Sequence, residues 1–213
     1  MKCLILANGD YGPLKYYEKQ LPAVDMVLCA DGGANYAYQM KLIPDYIIGD
    51  MDSIDEVVKV FYQQNEKVCF KKFPQQKDFT DTQLVISLAE DLGATEIMFF
   101  GTIGKRLDHT LSNLYSSIET CKRIDAIVHY SPECSIHIIS KRLPLQGSPG
   151  EMVSVLALSD SVMGLSICGV EYPLDNVVLE KSNPYAISNI MALNEAEVAV
   201  KNGVVAVFHY HNL

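Results

Sequence analysis

Short apolar runs alternate with amphipathic stretches from the start of the chain to about Ser131. The runs Lys2–Ala7, Asp25–Ala30, Asp45–Ile48, Val68–Lys71, Thr95–Phe100 and Ala126–Tyr130 predict strands. Between them the spacing predicts helices over Pro13–Gln20, Ala34–Met40, Ile54–Asn65, Thr80–Asp91 and Asp108–Cys121. Leu84, Leu88 and Leu92 recur every fourth position and predict one buried helical face. Leu107, Leu111, Leu114 and Ile118 predict the same for the last helix. Strands that alternate with helices imply an α/β N-terminal domain with a mostly parallel sheet, over residues 1–132.

The pattern then changes. Ser135–Ile139, Met152–Leu158, Ser161–Cys168, Asn176–Glu180, Glu197–Lys201 and Val204–His209 are short and rich in β-branched residues. Turn signals such as Gln146-Gly147-Ser148-Pro149-Gly150 and Lys201-Asn202-Gly203 separate them, and no helical pattern intervenes. Residues 133–213 therefore read as an all-β domain, a sandwich or barrel.

Composition narrows the class. The 213 residues suffice for one large domain or two small ones. The six cysteines are scattered without a Cys-x-x-Cys pair, which argues against a zinc or disulfide framework. A net charge of −9 disfavours nucleic acid as a partner. No run reaches the roughly 20 apolar residues that span a bilayer, and the first apolar run reads as a strand, so no membrane partner and a cytoplasmic location are expected.

In an open parallel sheet, ligands bind beyond the carboxyl ends of the strands. Four such loops stand out. Asp31-Gly32-Gly33 follows the second strand; paired glycines suit either a tight turn or a close approach to an anion. Asp50 and Asp52 follow the third, two residues apart, so an extended backbone points both carboxylates one way. About 4 Å apart they would repel by roughly 1 kcal/mol in water and about 4 kcal/mol at an effective dielectric of 20. A hard divalent cation removes that cost, whereas Asp52 or Ser53 as a helix cap needs only one such residue. Lys77, Asp78 and Asp81 gather beside Thr80 and Gln83, which have capping-box spacing. Gly101, Gly104, Lys105, Arg106 and Asp108 open the last helix, with His109 either a base or a surface residue. Neither a Walker A loop nor Gly-x-Gly-x-x-Gly occurs. Six acids, Asp31, Asp50, Asp52, Asp78, Asp81 and Asp108, thus fall on one sheet edge beside Lys77, Lys105 and Arg106. Phosphoryl transfer needs that combination of metal-bridged oxygens and cations.

These motifs resemble the thiamine pyrophosphokinase (thiamine diphosphokinase) family. The resemblance runs through Asp31-Gly32-Gly33, Pro44–Ser53, Lys77–Asp81 and Gly101–His109, and more weakly through Gly169–Leu174 and Ile187-Ser188-Asn189. It implies an α/β catalytic domain, a C-terminal β-sandwich, and a homodimer with active sites between subunits. It implies diphosphate transfer from ATP to the thiamine hydroxyl, giving thiamine diphosphate and AMP, with Mg²⁺. Carried over by position, Asp50, Asp52, Asp78, Asp81 and Asp108 are metal and phosphate-site acids. Asp31, Gly32, Gly33, Lys77, Gly101, Gly104 and Arg106 belong to the nucleotide site, and Tyr172, Ser188 and Asn189 to the thiamine site. Relatives often carry tryptophan near thiamine and glycine at the position of Lys105; this chain has no tryptophan. A pyrophosphokinase for another alcohol such as a pterin, or a sensor without turnover, are the alternatives.

Overall fold

The computed structural model describes residues 1–21, 24–73, 79–104 and 106–211. By contacts the chain forms two compact units: 1–116 with 129–132, and 117–128 with 133–213.

The first unit is an α/β layer. Strands β1 (Lys2–Leu6), β2 (Met26–Ala30), β3 (Tyr46–Gly49), β4 (Cys69–Lys72) and β5 (Glu96–Phe100) run parallel in the order β5-β1-β2-β3-β4. β1, β2 and β5 each bury their last four residues or nearly so, as continuous apolar strands covered on both faces should. The helices are α1 (Leu14–Gln20), α2 (Gly33–Gln39), α3 (Glu56–Gln63), α4 (Asp81–Asp91) and α5 (Leu107–Ser116). Successive strands step outward from β1 to β4, and the chain then returns to place β5 on the other side of β1. That reversal creates a crevice at the carboxyl ends of β1 and β5. Next in chain order, β6 (Ala126–Tyr130) brings His129 onto Phe99, the rings stacked with centroids 4.4 Å apart.

Two helical faces differ from the leucine pattern. α4 buries Thr82, Val85, Ile86 and Ala89, while Leu84 and Leu88 are only partly covered and Leu92 is exposed. α5 ends at Ser116 and buries Leu114 alone of the predicted four; Leu107 is 76% and Leu111 50% exposed. Fourfold leucine spacing identified the helices but not the side that faces this core.

α2 starts hard against β1. A Cβ on Gly33 would lie 2.1 Å from the carbonyl oxygen of Leu6. Its glycine is thus required by packing.

The second unit is a β-sandwich. One layer has the order β12-β9-β14-β7, from β7 (Cys134–Ile139), β9 (Met152–Ala157), β12 (Asn189–Ile190) and β14 (Val205–Tyr210). The other has the order β11-β10-β13-β8, from β8 (Arg142–Gln146), β10 (Ser161–Cys168), β11 (Leu174–Glu180) and β13 (Glu195–Ala199). All the pairings within these two layers are antiparallel. Alternate residues meet in one core, Val153, Val155, Val205 and Val207 from the first layer against Val162, Leu165, Ile167 and Val198 from the second. β8 and β12 are absent from the sequence-based strands. β8 contains Pro144, which cannot donate to a ladder and is tolerated because β8 lies at the edge of its layer.

β7 and β14 also direct histidines toward this interior. Burial, followed by the neighbouring His209 and His211, pushes His137 from 6.5 down to about 4. The folded chain therefore refuses a proton that the unfolded chain accepts below about pH 6.5, so this group costs stability as pH falls from 6.5 toward 4.

Two predictions follow from the packing. Gly33→Ala should destabilise the chain by about 1–3 kcal/mol, the range of overpacked interiors, as read by urea unfolding. Substituting His137 with Gln should flatten the loss of melting temperature between pH 6.5 and 4; an unchanged slope would place the acid sensitivity elsewhere.

Candidate active site

The crevice at the strand ends of the first unit is a cleft of about 700 Å³. Each flank comes from a loop that follows a parallel strand: Asn8-Gly9-Asp10 after β1, Asp31 after β2, Asp50 and Ser53 after β3, and Gly101–Gly104 after β5. Thr80, Asp81 and Thr82 enter from the start of α4, and Arg106, His109 and Asn113 from α5 and the residue before it.

Asp31 sits at the centre of the acids. It is 7% exposed, its backbone adopts a left-handed φ of 44°, and its amide is held by the carbonyl of Ile48 at 2.7 Å. A non-glycine residue in that region is uncommon, and aspartate tolerates it better than most. Among the described residues, its Oδ1 has no hydrogen-bond partner. Carboxylate oxygens of Asp31, Asp50 and Asp52 all lie within 4.8 Å of one another. Asp81 also approaches: a Cβ built on Gly49 would lie 2.9 Å from Cβ of Asp31 and 3.2 Å from Oδ1 of Asp81. Gly49 thus leaves room for the two acids to converge. Burial, then repulsion from Asp81, Asp50 and Asp52, raises the pKa of Asp31, with the Ser53 hydroxyl acting the other way. Its ionised form at neutral pH therefore weakens the fold unless a cation shares the pocket.

The capping alternative for Asp52 and Ser53 does not hold. α3 begins at Glu56, with Asp55 at the cap position, so both residues lie upstream of the helix. Instead the loop is tied to itself: the Asp52 amide donates to Oδ1 of Asp50 at 3.2 Å and the Ser53 hydroxyl to Oδ1 of Asp52 at 2.9 Å. The side-chain amide of Asn35 donates to the Ser53 carbonyl, and its oxygen accepts from the Asp55 amide, both at 3.0 Å. These bonds present the two carboxylates from a fixed turn. α4, by contrast, has the capping box expected of Thr80 and Gln83, which leaves Asp81 unneeded as a cap.

Arg106 lines the cleft, but Asp108 does not join the acid cluster. Its carboxylate takes two bonds from Arg106, Nε to Oδ1 at 3.2 Å and Nη2 to Oδ2 at 2.5 Å. That guanidinium holds the exposed Asp108 carboxyl down at about 2. Gly101 and Gly104 line the cleft; Gly101 has φ 70°, and a Cβ there would lie 2.2 Å from the Tyr11 ring. Tyr11 in turn anchors the strand ends, its hydroxyl 3.0 Å from the carbonyl oxygen of Ala7 and 3.1 Å from that of Phe100. Gly32 and Gly33 are absent from the cleft wall; a Cβ on Gly32 would meet the side chain of Asn8 at 2.5 Å, so both serve packing. Lys77, Asp78 and Lys105 fall outside the described residues.

Asn8-Gly9-Asp10 is not among the four loops singled out from the sequence. Its position directly after a buried parallel strand was the available signal. Tyr36, stacked on Tyr11 with centroids 3.9 Å apart, carried none.

In the second unit, Asn189 and Tyr172 are joined. The Asn189 side chain accepts from the Tyr172 amide at 3.1 Å and donates to its carbonyl at 2.7 Å. This clip fixes the backbone of a tyrosine that is 68% exposed. Ser188, beside it, adopts φ 57° with its amide held by the Ser154 hydroxyl at 2.9 Å.

Comparisons with known proteins match both halves of the chain. Residues 17–128 match the model for the thiamin pyrophosphokinase catalytic domain, and residues 135–205 that for the thiamin pyrophosphokinase vitamin B1 binding domain. The thiamine pyrophosphokinase of Bacillus subtilis is 26% identical over 190 residues, 82% of each chain. The match to the Saccharomyces cerevisiae thiamine pyrophosphokinase is local, 39% identical over 74 residues, which are 30% of this chain and 23% of that one. The crystal structure of the Bacillus subtilis enzyme superposes over the whole of both chains with a TM-score of 0.82 at 22% identity, a likeness of fold. With its two halves matched in order by the two domains of one family, the chain belongs to the thiamin pyrophosphokinases.

Proposed function

We propose that the chain transfers the diphosphate group of ATP to the hydroxyl of thiamine, giving thiamine diphosphate and AMP. Family membership supports the reaction, and the buried Oδ1 of Asp31, without a hydrogen-bond partner among the described residues and amid converging carboxylates, is the observation that supports this cleft as its place. An alcohol other than thiamine lacks support, since the second half of the chain matches a vitamin B1 binding domain. A sensor without turnover would have little use for a cluster of acids that costs stability.

In this reading Asp31, Asp50 and Asp52, with Asp81 beside them, hold Mg²⁺. The donor set fits: hard oxygens, more negative charge than the pocket can offset, and one orphaned lone-pair site. When bound, Mg²⁺ supplies neutralisation of the diphosphate charge. Arg106 steadies phosphate oxygens, oriented by its two bonds to Asp108. The Gly101–Gly104 loop lets the backbone approach the nucleotide closely. The thiamine hydroxyl attacks the β-phosphorus in line with the bond to the α-phosphate oxygen; the new O–P bond forms as that bond breaks, and AMP leaves. A carboxylate of the cleft accepts the hydroxyl proton. Tyr172, Ser188 and Asn189 hold thiamine, with the Tyr172 ring presented by the Asn189 clip. An overall charge of −9 favours the cationic thiazolium.

The homodimer is also proposed, with active sites between subunits. Leu107, Leu111 and Tyr115 leave an exposed apolar stripe on α5 that a second copy can cover. Among the described residues no helix is long and apolar enough to cross a membrane, and a cytoplasmic location is part of the same proposal.

Incubation with ATP, Mg²⁺ and thiamine should release AMP in step with thiamine diphosphate; ADP as product would overturn the attack on the β-phosphorus. Asp50→Asn and Asp52→Asn should each keep the fold and cut turnover at least about 10²-fold, the cost of losing an electrostatic contact to the transition state. Near-normal turnover by the folded variants would demote both residues to loop structure. Without substrates, Mg²⁺ should raise the melting temperature of the native chain at neutral pH, and Asp31→Asn should remove most of that rise.

A further inference from the structure

The second unit carries a cluster of titratable groups that the proposed reaction does not use. Cross-strand register builds it. β14 pairs with β9 so that His209 lies opposite Val153 and Tyr210 opposite Met152, and His211 and Glu151 are the residues that next follow β14 and precede β9. Residues two apart share a face, so His209, His211 and Glu151 project from the side that also contributes Val153, Val205 and Val207 to the sandwich core. His209 is 3% and Glu151 8% exposed in total, and His211 is partly covered. Nε2 of His209 lies 2.7 Å from Oε2 of Glu151, and the His209 and His211 rings are 4.8 Å apart between centroids. One ligand atom from each of the three residues lies within 4.8 Å of the others.

We propose that Glu151, His209 and His211 form a binding site for a late first-row divalent cation, with zinc the natural occupant. Two imidazoles and one carboxylate are a known zinc donor set, whereas Mg²⁺ and Ca²⁺ prefer all-oxygen shells. Around zinc, tetrahedral bonds of about 2.0–2.2 Å separate neighbouring donors by roughly 3.3 Å. Binding therefore needs the His209–Glu151 pair to open by about half an ångström, with any proton shared between them passing to solvent.

The chain after β8 packs against these same atoms. Gly147 follows β8, and a Cβ there would lie 2.4 Å from Oε2 of Glu151, 2.7 Å from Sδ of Met191 and 2.9 Å from Nε2 of His209. Nothing in the conformation of Gly147 demands glycine, since its φ is not among the positive values. The missing side chain leaves two of the proposed donors and a soft thioether sulfur converging on one point. Glycine at 147 lets this loop lie against the paired Glu151 and His209, and a side chain there would push the donors out of place.

The test uses the full chain with excess Mg²⁺, so that the acids of the cleft are occupied. Equilibrium dialysis should find one tightly bound zinc per chain. Co²⁺ should give a visible spectrum of nitrogen and oxygen ligation without thiolate charge-transfer bands. Glu151→Gln and His211→Ala should each weaken zinc binding at least about tenfold. Gly147→Ala should do the same with every donor still present, and so covers the case in which a donor variant misfolds. Circular dichroism confirms the fold of each variant. Three results would overturn the proposal: no zinc retained by the native chain at micromolar concentration, binding unchanged in the folded Glu151→Gln and His211→Ala variants, or cobalt bands from a cysteine ligand.

Discussion

The convergence of carboxylates on Asp31 is the constraint around which the first unit is arranged. A buried acid with one oxygen unpartnered among the described residues, flanked by Asp50, Asp52 and Asp81, is expensive to ionise. The fold accepts that cost through several local devices. Asp31 takes a left-handed backbone, Gly49 supplies the space between Asp31 and Asp81, and the Asp50–Ser53 turn is held by Asn35. The left-handed backbone of Asp31 and the gathered charge are unfavourable for stability alone, which is the usual signature of a site kept for a ligand. The strand order then matters as much as the acids. Only because β5 returns to the far side of β1 do the loops after β1, β2, β3 and β5 share one crevice.

Much of this was legible in the sequence because buried parallel strands announce themselves. Lys2–Ala7, Asp25–Ala30 and Thr95–Phe100 are continuous apolar runs, and the strands formed within a residue of those limits. The acid loops were legible for the same reason, since a strand end fixes where its next residues must lie. What failed was the reading of faces. Leu107 and Leu111 repeat at helical spacing, yet α5 turns them outward. Periodicity reports that a face is apolar and says nothing about whether the chain itself or a second copy covers it. The paired glycines were ambiguous from sequence in a similar way. Only the position of Leu6 and Asn8 against α2 shows that sterics demand them.

The β-sandwich was legible as a class and less so in detail. Its strands alternate, so each carries half the apolar signal of a buried parallel strand. β12 has two residues and offers no pattern, while Pro144 hid β8 by breaking the composition expected of a strand. The Asn189 clip on Tyr172 was equally hidden, because it joins residues 17 apart, across β11 and the chain that follows it, which no local rule pairs.

The two proposed cation sites differ in the donors that the fold presents, and that difference has a physical consequence. The cleft offers oxygen from aspartates on loops, which can adjust to a strongly hydrated ion that comes and goes with a nucleotide. Glu151, His209 and His211 offer nitrogen and oxygen from the ladder of β14 and the residue preceding β9, where backbone hydrogen bonds limit adjustment. A rigid, partly buried set with imidazole donors disfavours Mg²⁺ on both softness and coordination number. In the readings proposed above, the imidazole-bearing set excludes Mg²⁺ by donor type, while the aspartate cleft takes Mg²⁺ where that ion is in excess. Selectivity of this kind depends on the scaffold beneath the ligands, loop in one unit and strand in the other, as much as on the ligands themselves.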